Sequence, residues 1–309
     1  MAQEPSPMAL WPTVAPGTVP GGPVAYSPGT FDKLRDRPST TLGDPSPAGR
    51  VRRDGVPERR PEHYSVGVKP FLLLATRDHD EAAAAEYHSV LRHAGLEPEQ
   101  LEHHRVESEP LGPIDLDAYS GIFLGGSSFN ISDEIKTENQ RRVEAELSAL
   151  LDRVVDADFP FLGMCYGIGT VTAHLGGTVD TTHSEIVGAI PVTLTEAGGE
   201  DPLLEGIGPV FHAFVGHKEA CSSIPSGVEL LATGEACPVQ MYRVGSNVYV
   251  TQFHPELDAD DLAARMRIYQ HAGYFKPSEL DDLIAMAQAS PVNGEQHLVL
   301  SNFVRRFGS

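Results

Sequence analysis

Three short apolar runs, KPFLLLAT (Lys69–Thr76), YSGIFLGG (Tyr119–Gly126) and FPFLGMC (Phe159–Cys165), set the tightest limit on how this chain folds. None alternates apolar with polar residues, so each reads as a strand buried on both faces. A helix-patterned segment follows each one. DEAAAAEYHSVLRHAG (Asp80–Gly95) has acids in its first turn and a glycine just past its end. TENQRRVEAELSALLDRVVDA (Thr137–Ala157) carries apolar residues at Val143, Leu147, Leu150, Leu151 and Val154, and GIGTVTAHLGG (Gly167–Gly177) completes the set. This alternation predicts an α/β, doubly wound domain with a mostly parallel sheet flanked by helices. Further on, IPVTLT, VELLAT, PVQMYRV and NVYVTQF alternate more and lie close together, as antiparallel strands do. The domain is expected to span 67–276, with one or two helices in a carboxyl-terminal extension over 277–309.

Residues 1–66 are of another kind. They hold about half of the 25 prolines, with Gly, Ser, Thr and Arg between them and no sustained helical or strand period. Such a segment buries too little apolar area to offset its ordering entropy, so disorder is expected there, or a start codon read too early. RVRRDGVPERR (Arg50–Arg60) reads as a solvated linker within it. The formal charge of −20 is uneven: beyond Lys69 the chain carries 14 Lys+Arg against 36 Asp+Glu. An acidic globular part argues against nucleic acid as a partner, since phosphate binding needs a basic stripe. No apolar run approaches the roughly 18 residues of a membrane span, and the amino terminus lacks the positive charge of a signal peptide. No membrane association and a cytoplasmic location are therefore expected. Three scattered cysteines, Cys165, Cys221 and Cys237, fit neither a disulfide framework nor a zinc site. RDHDE (Arg77 to Glu81) and EHHR (Glu102 to Arg105) read as solvated helix edge or loop, and no metal is expected.

The richest chemistry lies where the third strand meets its helix. Gly163-Met164-Cys165-Tyr166-Gly167 has the form G-x-C-x-G, the pattern of a nucleophile elbow: a sharp turn lifts the central side chain above the strand ends, and its neighbours two away must be small. The turn places Cys165 at a helix amino terminus, where the dipole favours negative charge and the Tyr166 N–H can face an oxyanion. A buried structural cysteine fits the same turn, so a base is the deciding partner. In YVTQFHPEL, the proline pushes His254 toward an extended conformation, so that His254 and Glu256 project from one face. The carboxylate can then orient the imidazole toward Cys165. The Gly125-Gly126 pair at the second strand's end lets backbone approach a ligand, so Gly126 and Ser127 are candidates for the second oxyanion donor; an ordinary tight turn has the same look.

Taken in order and spacing, GMCYG, the GG strand end and QFHPEL resemble the glutaminase domain of class I glutamine amidotransferases, in the stand-alone, GMP-synthase-like subgroup. The similarity covers about Val68 to Tyr274. It implies a flavodoxin-like sheet, Cys165 as nucleophile, His254 as base and Glu256 as its orienting partner. The implied chemistry is hydrolysis of the L-glutamine side-chain amide through a γ-glutamyl thioester, releasing ammonia without a cofactor. It also suggests His217, Gln240 and Glu185 as residues that shape the site or hold structure. One position departs: the family usually carries glutamine four residues after the nucleophile, and here Gly169 stands there. Hydrolysis of other γ-glutamyl amides or peptides therefore stays open, as does a partner-dependent subunit inactive alone. The stretch after Tyr274 is too short for a fused synthetase domain, so an ammonia-accepting synthase subunit is the partner the resemblance implies. The acceptor itself and the oligomeric state are not written in the sequence.

Overall fold

A computed structural model describes residues 69–308. The segment expected to be disordered, 1–66, lies outside the described residues. Strands β1 (Phe71–Thr76), β2 (Leu101–Arg105), β3 (Gly121–Ser127) and β4 (Phe161–Met164) run parallel, joined by α1 (Asp80–Ala94) and α2 (Glu138–Asp156). After α3 (Tyr166–His174) come β5 (Thr178–Asp180), β6 (Glu185–Leu194), the short α4 (Glu196–Glu200), β7 (Val210–His217), β8 (Ala220–Ser223), β9 (Val228–Thr233), β10 (Met241–Val244) and β11 (Val248–Thr251). Helices α5 (Ala259–Ile268), α6 (Leu280–Gln288) and α7 (Leu298–Phe307) follow. The main sheet has nine strands in the order β2-β1-β3-β4-β11-β10-β9-β6-β7, and β5 pairs with β8 apart from it.

The unalternating apolar runs are explained by burial on both sides. In β1, Phe71 and Leu73 join one core with Val90 of α1, Phe123 of β3 and Phe303 of α7. Leu72 and Leu74 join the other, with Leu147 and Leu151 of α2 and Ile168 of α3. Successive side chains of a strand point to opposite faces, so a strand between two helical layers has no polar position to offer. A third cluster packs Phe214 of β7 and Leu257 against Leu262 and Met266 of α5 and Ile284 of α6. The helices begin and end where local chemistry dictates. Thr137 caps α2 by accepting from Gln140 N at 3.0 Å, and Gly95 ends α1 in the left-handed region at φ 70°.

Two expectations change, and one strand is new. NVYVTQF, read as one of an antiparallel group, supplies β11, which is antiparallel to β10 but parallel to β4, so it joins the two halves of the sheet. EHHR, read as helix edge or loop, lies in edge strand β2, where only one neighbour is available and its polar residues reach water. The VFHAFVGH segment forms β7, an outer strand with no counterpart in the sequence reading. In the carboxyl-terminal stretch, α7 presses Val299, Leu300 and Phe303 into the main core, with the Phe303 ring 5.9 Å from Phe71 and 5.1 Å from Phe123. Phe303→Ala should lower the unfolding free energy by about 3–5 kcal/mol in denaturant titrations, the cost of a large aromatic cavity.

Candidate active site

The carboxyl ends of β1, β3, β4 and β11 meet at one edge of the sheet, where parallel α/β folds place their ligands. Cys165 follows β4 directly. It has φ 54° and ψ −88°, a strained conformation for a residue with a side chain, and it is the N-cap of α3. Its N–H donates to the Thr251 carbonyl at the end of β11 at 2.7 Å, which fixes the turn from the neighbouring strand. Gly163 is needed for space, since a Cβ there would come to 3.0 Å from the Gly167 backbone. Tyr166 opens α3, so its N–H has no acceptor within the helix.

His254 stands opposite, held by its N–H to the Phe214 carbonyl of β7 at 2.9 Å. Its Nδ1 lies 2.8 Å from Glu256 Oε1, which also accepts from Arg265 Nη1 at 2.9 Å. The carboxylate therefore fixes the ring with Nδ1–H donating, and Nε2 is the nitrogen left for the thiol. Burial alone would push the imidazole down, but the Glu256 charge and then Cys165 outweigh it and raise His254 to about 9. Burial would likewise raise Glu256, yet His254 and Arg265 hold it well below the usual carboxylate range.

Arg265, itself part-buried, links a row of charges whose other members are buried. Its Nη2 is 3.9 Å from Glu86 Oε1 of α1, and the same oxygen accepts from Arg77 Nε at 3.0 Å. Glu86 is completely buried, and Arg77 is 5% exposed. Their presence explains the glycine pair. A Cβ on Gly125 would overlap the Glu86 carboxylate, and one on Gly126 would overlap Arg77 Nη2. The Gly126 N–H donates to Glu86 Oε1 at 3.2 Å. Gly126, expected as an oxyanion donor, thus has its N–H turned to a buried carboxylate, and neither Gly125 nor Gly126 lines the cleft. Ser127 does line it, with its hydroxyl donating to the Thr76 carbonyl at 3.0 Å and accepting from Phe129 N at 3.1 Å.

The cleft has a volume of about 790 Å³, part of it open to solvent, and its walls include Arg77, Cys165, Tyr166, Gly169, His217 and His254. His217 is fixed from behind: Nδ1 donates to the Glu219 carbonyl at 2.9 Å, and Nε2 meets Glu185 Oε2 at 2.9 Å. Gln240, expected near substrate, sits behind this pair and donates to the same Glu185 oxygen at 2.7 Å. A Cβ on Gly169 would lie 3.6 Å from Glu219 Oε1, so a carboxylate approaches the spot where the family carries its glutamine. Glu219 Oε1 accepts from Ile131 N at 2.6 Å and Oε2 from Ser132 N at 2.7 Å, which ties down the loop after β3.

Arg77, Glu86 and Arg265 are the site residues that sequence reading misses. RDHDE reads as solvated edge, but Arg77 is buried. Two signals point the other way: an arginine directly beyond an apolar strand's carboxyl end, and an acid on the Ala82, Ala83, Val90 stripe of α1. Among the described residues, Glu185, His217 and Cys237 form one group with metal-ligand spacing, and His93, Asp258 and Asp261 another. Neither group draws on RDHDE or EHHR.

A mixed sheet with a cysteine on the turn after a central parallel strand, facing a histidine paired with a glutamate, defines the class of thiol-dependent α/β enzymes. The family model for class-I glutamine amidotransferases matches residues 78–266, and the chain belongs to that family, whose members are cysteine-dependent glutamine-hydrolysing enzymes. It is 32% identical over 146 residues to a glutamine-hydrolysing GMP synthase of Porphyromonas gingivalis, a match covering 47% of this chain and 26% of that protein. With a glutamine-hydrolysing GMP synthase subunit of Methanobrevibacter smithii it shares 31% over 101 residues, 32% of this chain and 52% of that protein. The chain thus matches about a quarter to a half of the length of these relatives. A glutamine amidotransferase structure from Thermotoga maritima superposes with a TM-score of 0.63 at 18% identity, covering 78% of this chain and 99% of that one. One from Methylobacillus flagellatus gives 0.60 at 19%, covering 78% and 96%. These likenesses show the flavodoxin-like fold. No helix among the described residues is long and apolar enough to cross a membrane.

Removing one partner of the buried Arg77–Glu86 pair leaves the other charge uncompensated. Glu86→Gln should cost about 3–5 kcal/mol of stability, read as a lower denaturant midpoint with an unchanged slope.

Proposed function

We propose that this chain hydrolyses the side-chain amide of L-glutamine through a γ-glutamyl thioester on Cys165, with His254 as acid and base and Glu256 as its orienting partner. The observation that carries this reading is the His254–Glu256 pair facing a strained cysteine across one cleft. The Cys165 thiolate attacks the amide carbon, and negative charge gathers on the oxygen beside the Tyr166 N–H. The C–N bond then breaks as His254 gives its proton to departing ammonia. Water enters, His254 takes a proton from it, and attack on the thioester breaks the C–S bond, releasing glutamate and returning the thiolate beside a protonated His254. Glu256, kept ionised by His254 and Arg265, stabilises the imidazolium at each stage.

The acceptor of the ammonia is proposed to be a synthase partner, in keeping with the relative from Methanobrevibacter smithii, which is itself one part of a GMP synthase. A second reading, cleavage of γ-glutamyl amides or peptides, is favoured by Gly169, which lines the cleft with Glu219 and presents no amide side chain where the family carries its glutamine. The domain organisation is proposed as a glutaminase unit over 67–276 with 277–309 as an extension and 1–66 outside it. A cytoplasmic location is proposed with it.

Ammonia and glutamate release should be measured with L-glutamine and with γ-glutamyl amides and peptides. Cys165→Ala should reduce turnover to background while leaving the unfolding midpoint unchanged or higher, since Ala loses the thiol but keeps the backbone. Full activity in that variant would refute the nucleophile. The pH profile supplies a second check. Because His254 is raised to about 9, it stays protonated through neutrality and can protonate the leaving group; above that pH the proton is lost. kcat/KM should therefore fall on the alkaline side with a midpoint near 9, and a flat profile across that region would contradict the assignment.

A further inference from the structure

We propose that Arg77 is a catalytic residue, its guanidinium supplying the second contact to the oxyanion in place of a backbone N–H from the glycine pair. The role rests on the reading of Cys165 as nucleophile and deepens it. The Gly126 N–H, which the strand end would otherwise offer to a ligand, is turned to Glu86. What stands over Gly126 is Arg77 Nη2, so close that a Cβ there would overlap it.

Topology brings Arg77 to the cleft that holds the reacting thiol. Arg77 directly follows β1, Gly126 lies at the end of β3 and Cys165 follows β4, and these three strands are parallel neighbours. Arg77 and Cys165 line the same cleft, together with Tyr166, whose N–H is the first donor. The guanidinium fork divides its work. Nε is hydrogen-bonded to Glu86 Oε1, while Nη2, buried and 2.9 Å from that oxygen, makes no hydrogen bond among the described residues. A buried donor without an acceptor is costly unless something arrives to accept from it. An oxygen that becomes negative only during reaction suits a fixed cation in a water-poor site, because the charge needs no reorganisation at that moment. Glu86 balances the arginine in the resting site, so the charge is held in place without drawing in a free anion.

Arg77→Lys keeps the charge opposite Glu86 but has no second arm, and it should fold as the parent does. For L-glutamine its kcat should drop about 100-fold with KM within about threefold, the scale expected for one oxyanion donor. Alkylation of Cys165 by iodoacetamide, which forms no oxyanion at a carbonyl, should change by less than about threefold on the same grounds. A KM increase at unchanged kcat would overturn the proposal and make Arg77 a binder of the substrate carboxylate. A parallel fall in alkylation rate would also overturn it, since Arg77 would then act through the thiol.

Butanal separates this test from glutamine turnover. Its addition to Cys165 places an oxygen where the oxyanion forms, and it carries no carboxylate. Protection of Cys165 from iodoacetamide should need at least about tenfold more butanal in Arg77→Lys, and in Arg77→Gln as a second variant, than in the parent. Equal protection in all three would exclude the role whatever the natural substrate. Absence of glutamine turnover in the parent, with the butanal difference intact, would count against the proposed substrate and for the oxyanion contact.

Discussion

The site is built around a row of ionisable groups largely withdrawn from water: Arg77, Glu86, Arg265, Glu256 and His254. Charges in such a place survive only when signs alternate and hydrogen bonds fill the remaining directions, because desolvation otherwise exceeds the mutual attraction. Here they alternate, and the members come from separate places: the end of β1, the middle of α1, α5, and the segment after β11. The ends of β1 and β11 and the helices α1 and α5 must therefore all be in place before the row closes. The glycine pair is shaped by the same requirement, since a side chain at either position would collide with Glu86 or Arg77. Structure and chemistry share one set of contacts.

The remaining parts of the site are set by strand neighbourhood. β11 reaches across to β4 and fixes the Cys165 N–H, and β7 holds the His254 backbone. His217 gains its orientation from Glu185 and from its own loop, with Gln240 behind. Cys165 and His254 thus follow neighbouring strands, β4 and β11, and the His254 backbone is held in turn by β7. The parallel pairing of β11 with β4 brings the HPE segment beside the turn after β4, and the antiparallel pairing of β11 with β10 carries the sheet on toward β7.

Much of this can be read from the chain because the signals are local. Unalternating runs mark β1, β3 and β4, and the Thr137–Ala157 periodicity marks α2 almost to the residue. The G-x-C-x-G spacing marks the turn, since its small neighbours are dictated by a contact between residues only four apart. Other parts are hidden because they depend on partners distant in sequence. The direction of β11 relative to β4 is a tertiary choice, and LEHHR becomes a strand only by lying beside β1. Gly125-Gly126 looks like an opening for a ligand, whereas the glycines admit side chains of the protein itself. Arg77 shows the limit most plainly. Within RDHDE it reads as solvated charge, and only Glu86, nine residues on, makes its burial tolerable.

The packing of α7 over Phe71 and Phe123 also bears on how the protein is made. Of the described elements, the strand that leaves the ribosome first is covered by the helix that leaves last. Contacts of such long range delay closure, and until it occurs an apolar wall of the sheet stays open to other chains. Until α7 docks, a nascent copy carries an apolar wall that other copies can meet, and α7 is the latch that shuts it.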